Sequence, residues 1–280
     1  MDMYEWMRSQ APVAMLFLGL AGALPPAGLA QMAPEAVATE AVATEAAFFP
    51  VGERLEYAIN LGRIRLGHAT MRVEAEEMVD GVRTFRTSLR IEIGAALLDF
   101  EDRLVSWIEP APFRSRAFLR RDPDADDDRV RYYRFDPEGP RATAEQRTAD
   151  GRIIAALVPP ESIPVDVLDE LAALYFLRSI SLEQGETRTI DRYFDPSIAP
   201  MELTVLETIR MRVPAGRFEA TVFRTVMPAL PAFQAENDPR IYVSRGEDRL
   251  IVQIETDTKV GRLRMYLTDY EILDGAGRPE

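Results

Sequence analysis

Residues 54–93 read RLEYAINLGRIRLGHATMRVEAEEMVDGVRTFRTSLRIEI, and they carry the clearest indication of the fold class. Apolar side chains such as Leu55 and Tyr57 alternate with polar ones, and the period of two recurs to the end of the stretch. Successive side chains of a strand point to opposite faces, so the alternation predicts strands with one buried and one solvated face, as in antiparallel sheets. The dipeptide Asp80-Gly81 is typical of tight hairpins and predicts a turn within the stretch.

The same pattern continues outward through the C-terminal part of the chain. Further strands are predicted at 113–121, 129–135, 188–194, 201–213, 217–226, 240–244, 250–255 and 261–270. Asp150-Gly151 and Ala215-Gly216 mark later reversals. About a dozen strands predict a mainly β protein with a large antiparallel curled sheet, barrel-like or sandwich, because a flat sheet of that width would be unusual.

One segment breaks the period of two. In residues 165–181, VDVLDELAALYFLRSIS, the side chains of Leu168, Leu171 and Tyr175 fall on one helical stripe, and Leu174 widens it. The pattern predicts one prominent helix that is apolar around most of its circumference. Such a helix is expected to lie against or inside the curved sheet.

The first 30 residues are typical of a secretory signal peptide. Arg8 precedes an apolar run at 11–24, and small residues follow up to Ala30. Cleavage near Ala30 would leave Gln31 as the N-terminus of a periplasmic or secreted protein. The alternative is a retained membrane anchor, although the run is shorter than the roughly 20 residues that cross a bilayer.

Residues 31–47 form a low-complexity spacer, in which the unit AVATE at 36–40 is repeated at 41–45. Residues 48–280 are predicted to form a single β-rich domain. The chain has a net charge of −13. That charge repels nucleic acid, so no nucleic-acid partner is expected. The absence of cysteine excludes disulfides, thiol catalysis and iron–sulfur clusters, and no cofactor is expected.

The sequence holds few candidates for catalysis. It contains no glycine-rich phosphate loop, nucleophile elbow or zinc motif. The single histidine, His68, falls on the polar face of a strand and is expected to be solvated. Two pairs of adjacent carboxylates stand at Glu76-Glu77 and Glu101-Asp102. They can act as acid and base only if burial separates their pKa values, so a carboxylate-dependent hydrolase is the less favoured alternative to a non-enzymatic protein.

The acidic run at 122–128 is the candidate for a metal site. Carboxylates at alternate positions suit Ca²⁺, and here they are Asp122, Asp124, Asp126 and Asp128. The calcium loop of helix–loop–helix proteins needs glycine where Asp127 stands and glutamate where Tyr133 stands. The run is therefore expected to be a solvated hairpin tip that discourages edge pairing.

Four blocks of the sequence occur in a recognisable order. They are FPVGERLEY at 49–57 with LGHA at 66–69, DELAALYFLR at 169–178, VPAGRF at 213–218, and IYVS followed by LIVQI within 241–254. Over residues 48–272 they resemble an exported bacterial family known as domain of unknown function 3108. The chain departs from the family pattern at 245–247, where RGE replaces an acidic pair. The resemblance implies an exported β-rich fold and supplies no established activity.

A curled sheet crossed by a helix can enclose an apolar cavity. We therefore expect a non-enzymatic exported protein that binds an apolar or amphipathic, lipid-like ligand between the sheet and the helix. The predicted ligand-binding residues are Tyr57, Met71, Leu171, Leu174, Tyr175 and Phe218. The alternative is a structural or interaction module of the cell envelope, which would meet a protein partner through a sheet edge or the 36–45 repeat.

Overall fold

The computed structural model describes residues 50–95, 98–121, 128–136, 139–157, 163–194, 197–198, 200–226, 239–258 and 261–272. The predicted signal peptide and the 31–47 spacer lie outside these ranges. The strands are β1 (Arg54–Leu61), β2 (Ile64–Val79), β3 (Val82–Ala95), β4 (Leu98–Pro110), β5 (Phe113–Arg121), β6 (Val130–Phe135), β7 (Ala142–Arg147), β8 (Ile153–Leu157), β9 (Thr187–Ile190), β10 (Tyr193–Phe194), β11 (Ser197–Ile198), β12 (Met201–Val213), β13 (Gly216–Val226), β14 (Arg240–Ser244), β15 (Ile251–Thr258) and β16 (Gly261–Glu271). The helix of the described residues is α1 (Glu170–Ser179).

One antiparallel sheet contains fourteen of the described strands, in the order β8-β7-β6-β5-β4-β3-β2-β1-β16-β15-β14-β13-β12-β9. The short strands β10 and β11 pair only with each other in the described chain. The large sheet curls without closing, and its described edges are β8 and β9. The predicted mainly β fold is confirmed, and the curled sheet is the form observed among those that the sequence left open.

Burial follows the alternation that predicted the strands. In β1, Leu55 and Tyr57 are buried whereas Glu56 between them is partly exposed. The Asp80-Gly81 hairpin is confirmed, since both residues have positive φ angles, 52° and 77°, as a tight two-residue turn requires. Inward-facing side chains from both halves of the sheet meet the helix in one continuous hydrophobic core.

The helix α1 is shorter than the predicted segment 165–181. It begins at Glu170 because Asp169 is its N-cap, with the carboxylate accepting hydrogen bonds from the backbone N–H groups of Leu171 and Ala172, both at 2.9 Å. All of its residues before Ser179 are buried, and it packs on β3, β4 and β5. Among the described residues, no helix is both long enough and apolar enough to cross a bilayer.

Two parts of the strand prediction need correction. The segment 188–194 is not one strand, because the chain leaves the sheet after Ile190 so that Arg192 can form a parallel bridge with Leu168, ahead of α1. The strands β4, β7 and β8 were not predicted. Every residue of β8 (IIAAL) is apolar, so this strand has no alternation of polar and apolar residues to detect, although most of its side chains are exposed.

Candidate functional site

A cleft of about 530 Å³ lies on one face of the sheet, across β3 to β7. We call it the outer-face cleft, lined by the apolar residues Val105, Trp107, Leu119 and Val130 and by four arginines. Ser106, between Val105 and Trp107, contacts the N-terminus of α1. Neighbouring strand residues point to opposite faces, so the cleft opens on the side of the sheet away from the helix.

The floor of the outer-face cleft is apolar and centred on Trp107. Val105 and Leu119 are cross-strand partners in β4 and β5. The Trp107 ring packs edge-on against Tyr132, with 6.0 Å between ring centroids. Its indole N–H donates a hydrogen bond of 2.7 Å to the carboxylate of Glu77, which fixes the ring in the floor. The floor therefore presents a rigid apolar surface.

Two of the cleft arginines are engaged by carboxylates. The Nε atom of Arg86 lies 3.0 Å from Glu74, and its guanidinium stands 5.7 Å from the Trp107 ring centroid. Arg147 lies 2.5 Å from Glu145. These two side chains are held in place by their partners and shape the walls.

The other two arginines, Arg103 and Arg121, are more open. Among the described residues, their nearest carboxylate oxygens are on Glu74 and Asp128, each 3.8 Å away and beyond hydrogen-bond distance. Their side chains are 53% and 38% exposed. Arg121 also donates a hydrogen bond of 3.2 Å to the backbone carbonyl of Glu101. Both guanidinium groups keep N–H donors available at the cleft.

This combination suits an amphipathic anion. A guanidinium group binds carboxylate or phosphate through two parallel hydrogen bonds, and an apolar floor holds a hydrocarbon or aromatic body. The described ranges contain no group of three or more acidic or histidine side chains that could hold a metal ion.

Five of the six predicted ligand-binding residues lie together in the buried core. They are Tyr57, Met71, Leu171, Leu174 and Tyr175. Phe218 lies apart, half-buried in the β12–β13 hairpin, with its ring 6.3 Å from that of Tyr270. Because α1 packs directly on the sheet around the first five, a ligand there would have to displace the helix. Ligand binding by these residues stays a prediction.

A buried ion pair holds the C-terminal end of α1. Arg178 donates two hydrogen bonds of 2.6 Å to the two carboxylate oxygens of Glu53, just ahead of β1. It also donates to the backbone carbonyls of Asp248 and Arg249, each at 3.0 Å. Burial acts to lower the pKa of Arg178, but the adjacent Glu53 carboxylate outweighs it and raises that pKa, so the side chain stays charged.

Polar contacts also hold the N-terminal end of α1. The Asp169 carboxylate accepts hydrogen bonds from the hydroxyl groups of Ser106 at 2.6 Å and Ser115 at 2.7 Å. Burial raises the pKa of Asp169 to about 6, while these bonds and the helix N–H groups act in the opposite direction. The next residue, Glu170, accepts a hydrogen bond of 2.9 Å from Arg120.

Two further buried ionisable side chains, Asp102 and Arg192, lie near the ion pair of Arg120 and Glu170. Burial raises the pKa of Asp102 to about 6, which the neighbouring Arg120 partly opposes. Burial lowers the pKa of Arg192 to about 10, which Glu170 partly opposes. With Asp169, three acidic groups and two basic groups are buried near the helix N-terminus. Glu53, Asp169, Glu170 and Arg178 belong to the blocks that carry the family resemblance, and their observed role is to fix the helix inside the curled sheet.

The other candidate side chains are separated by the fold. Glu101 and Asp102 point to opposite faces, with side chains 54% and 3% exposed. His68 lies on the exposed face, with Nε2 2.8 Å from the Glu92 carboxylate. Of the calcium candidates, Asp122, Asp124 and Asp126 lie outside the described residues. Asp128 is described, and it faces Arg121.

The outer-face cleft was missed because its central strand was not predicted. In β4 the apolar neighbours Leu104 and Val105 are followed closely by Trp107 and Ile108, so both faces of the strand carry apolar residues. Alternation cannot assign a strand that has an apolar side chain on each face. A signal nevertheless existed, since Arg103, Val105 and Trp107 share one face.

Solved structures similar to this fold have low sequence identity. A β-barrel-like protein of the domain of unknown function DUF1849 from Brucella abortus has 9% identity and a TM-score of 0.49, with 79% of this chain and 98% of that chain covered. A suspected lipoprotein from Parabacteroides distasonis has 9% identity and a TM-score of 0.30, covering 79% and 97%. A suspected exported protein with a YmcC-like fold from Bacteroides fragilis has 12% identity and a TM-score of 0.33, covering 80% and 99%.

No curated protein sequence matches this chain. A family model described as protein of unknown function (DUF3108) matches residues 56–268. The match runs from β1 to β16, and so includes the helix α1 and the strands of the outer-face cleft. The chain therefore belongs to the DUF3108 family of proteins of unknown function.

Proposed function

We propose that this protein is an exported, non-enzymatic binding protein that holds an amphipathic anion in the outer-face cleft. The observation that carries the proposal is the combination of an apolar floor with Arg103 and Arg121, whose nearest carboxylates in the described part of the chain are beyond hydrogen-bond distance. The chain has a net charge of −13, whereas the lining of this cleft is net positive, with four arginines and two acidic side chains.

The size of the cleft fits a small amphiphile. Its volume of about 530 Å³ falls in the range of roughly 300–1,000 Å³ that small-molecule sites occupy. The anionic head would accept hydrogen bonds from Arg103 and Arg121, and the apolar body would lie over Val105 and Leu119 toward Trp107. Burying the body over this floor excludes water from the head and strengthens its pairing with the guanidinium groups.

Fluorescence offers a direct test, because the chain has two tryptophans and Trp6 belongs to the predicted signal peptide. Trp107 is then the single reporter of the processed chain. We expect titration with laurate to change its emission saturably, whereas dodecanol, which lacks the charge, should bind at least about tenfold more weakly. Unchanged emission with every amphiphile would count against the proposal.

A matched pair of variants separates cleft binding from general charge effects. Arg103→Gln with Arg121→Gln removes both open guanidinium groups and should weaken laurate binding. Arg63→Gln with Arg65→Gln removes the same charge from exposed positions in the β1–β2 hairpin and should leave binding unchanged. Equal effects of the two pairs would show that the site does not use the cleft arginines.

Export is a separate part of the proposal. It is supported by the apolar run and the small residues that precede Gln31 in the sequence. Intact-mass measurement of the protein recovered from the periplasm should give a chain that starts at Gln31. Recovery of the full-length chain with the membrane fraction would favour a retained anchor.

The non-enzymatic part is tested on the carboxylate pair. The sheet places Glu101 and Asp102 on opposite faces, which separates them for any shared acid–base step. A hydrolase screen of the purified protein should find no activity. An activity that is lost in both Glu101→Gln and Asp102→Asn would establish the hydrolase alternative.

A sheet edge supports the second candidate function, an interaction module of the envelope. Within the described residues, β8 pairs on one side only, with β7. Its side chains Ile153 and Ile154 are 57% and 44% exposed. Edge strands commonly carry charged side chains that prevent pairing with another chain, and β8 carries none, so its edge is open to a partner strand. Cross-linking in envelope extract should then capture a protein that is lost with Ile153→Lys and Ile154→Lys but retained with the cleft variants.

A further inference from the structure

A second cationic surface lies on the hairpin formed by β12 and β13. Arg212 and Arg217 are directly opposite each other in register, and Arg210 stands opposite Glu219. Residues two apart in a strand share a face, so these side chains lie on one face of the hairpin. We call this surface the basic hairpin face, and it includes Arg245, whose guanidinium donates a hydrogen bond of 3.2 Å to Thr208 on the same face.

The opposed Arg212 and Arg217 lack a charge partner in the described chain, whereas Arg210 stands across from Glu219. Like charges directly opposite across an antiparallel pair are unfavourable, as Arg212 and Arg217 are here. In the part of the chain that the structure describes, no carboxylate lies within ion-pair distance of Arg210, Arg212, Arg217 or Arg245. These arginines are exposed, and the shallow groove between the two strands is lined by Arg210, Arg212, Arg217 and Glu219. Such an arrangement favours binding of an anionic group.

The N-terminal start of the domain lies close to the hairpin that carries this surface. Phe218 follows Arg217 in β13 and lies on the opposite face of the strand, with its ring 6.3 Å from that of Tyr270. Tyr270 is the cross-strand partner of Leu55 at the beginning of β1. The described chain therefore begins near the β12–β13 hairpin, and the preceding segment can pass over its edge to the basic hairpin face.

That preceding chain has the complementary charge. Residues 31–49 contain three glutamates, Glu35, Glu40 and Glu45, and no basic residue. The described chain begins at Pro50, five positions after Glu45 and ten after Glu40, and extended segments of those lengths reach about 17 Å and about 33 Å. Tethering also raises the effective concentration of a nearby segment to the millimolar range, so weak pairing suffices.

We propose that the acidic 31–47 spacer docks on the basic hairpin face of its own chain. The glutamates of the AVATE repeat then neutralise the opposed Arg212 and Arg217. Docking would cover this cationic surface and hold the spacer against the domain, which is independent of ligand binding in the outer-face cleft.

Distance measurement between two spin labels tests the proposal, because the chain has no cysteine and two can be added without interference. Labels at Ala43→Cys and at Glu247→Cys, in the exposed loop after β14, report the separation of the spacer from the basic hairpin face. We expect a narrow short-distance population at low salt. It should broaden at about 1 M NaCl, where the screening length falls to about 3 Å.

Charge variants identify the contact. Arg212→Glu with Arg217→Glu should abolish the short distance, whereas Arg63→Glu with Arg65→Glu, the same change in the β1–β2 hairpin, should retain it. Glu35→Gln, Glu40→Gln and Glu45→Gln together should also abolish it while every described residue is unchanged. A broad, salt-independent distance distribution in the parent chain would overturn the proposal.

Binding to vesicles that contain phosphatidylglycerol distinguishes docking of the spacer from binding of the basic hairpin face to an anionic membrane. If the spacer is docked, the parent chain should bind them weakly and the triple glutamine variant more strongly. Strong vesicle binding by the parent chain that is lost with Arg212→Glu and Arg217→Glu would assign the face to a membrane and refute docking of the spacer.

Discussion

Arginines on the two sides of the curled sheet have different surroundings in this protein. On the inner side, Arg178 of α1 binds both oxygens of Glu53 and two backbone carbonyls, and Arg120 of β5 is paired with Glu170. On the outer face, Arg103 and Arg121 are half-exposed, and the nearest carboxylates among the described residues are 3.8 Å away. The inner arginines use their hydrogen-bonding capacity to position α1, whereas the outer ones keep it available for another molecule.

The physical reason for the difference is the cost of taking a charge out of water. A buried guanidinium group must find its partners within the protein, because an unpaired buried charge is strongly destabilising. An exposed guanidinium group is solvated, and its pairing with a surface carboxylate is worth about 0–1 kcal/mol. Loss of an inner arginine should therefore affect folding, and loss of an outer one should affect binding.

The largest effect is expected at the C-terminal end of α1. Arg178→Met leaves the buried Glu53 carboxylate without its partner and should lower the free energy of unfolding by about 3–5 kcal/mol. Urea denaturation followed by circular dichroism measures this. The double variant Glu53→Gln with Arg178→Met removes both charges and should recover part of the loss. No recovery would mean that the carbonyl contacts of Arg178, rather than the ion pair, dominate.

The next effect is a pH dependence at Asp102. Its pKa is about 6 in the folded protein against an ordinary value of 3.8. The folded state thus binds more protons between these values, and the stability contributed by this group falls as the pH rises from about 4 to about 6. Asp102→Asn cannot ionise, so its stability relative to the parent should increase by up to about 3 kcal/mol between pH 4 and pH 7.

The control for Asp102 is the exposed Asp191→Asn, which reports how the removal of a surface carboxylate changes the stability over the same pH range. Denaturation midpoints at several pH values measure both. A pH-independent difference for Asp102→Asn would show that Asp102 titrates normally in the folded protein.

A smaller effect on stability is expected at the outer-face cleft. Arg103→Gln with Arg121→Gln should change the free energy of unfolding by less than about 1 kcal/mol, because both pairs are loose and exposed. The same variant should lower the affinity for laurate about tenfold or more, which corresponds to about 1.4 kcal/mol. A large loss of stability would contradict the division of roles between the two faces.

The smallest effect is expected at His68. Its contact with Glu92 is on the exposed face, so His68→Gln should change the free energy of unfolding by less than about 0.5 kcal/mol. Thermal denaturation measures this, and a clearly larger loss would indicate a role that the exposed position does not explain.

The alternation of polar and apolar residues predicted the strands correctly where one face of the strand is buried and the other is solvated. It located β1 to β3, and it located β12, β14 and β16 with closely similar bounds. It failed at β4, which is apolar on both faces, and at β8, which is exposed. For the candidate site, the sequence grouped five side chains that do lie together in the core, but it did not bring Arg103, Arg121 and Trp107 into one cleft. That grouping depends on the pairing of β4 with β5 and β6 and on the packing around Trp107.

The mainly β fold, the buried helix and the family can be inferred from the sequence, because local periodicity and the order of short blocks are properties of the chain alone. The contacts of the charged residues in those blocks depend on the tertiary structure. Glu53 and Arg178 are 125 positions apart, and their contact exists only once the curled sheet brings β1 to the end of α1. The same holds for the cleft, because sequence spacing records which face a side chain occupies, but not which strands become neighbours.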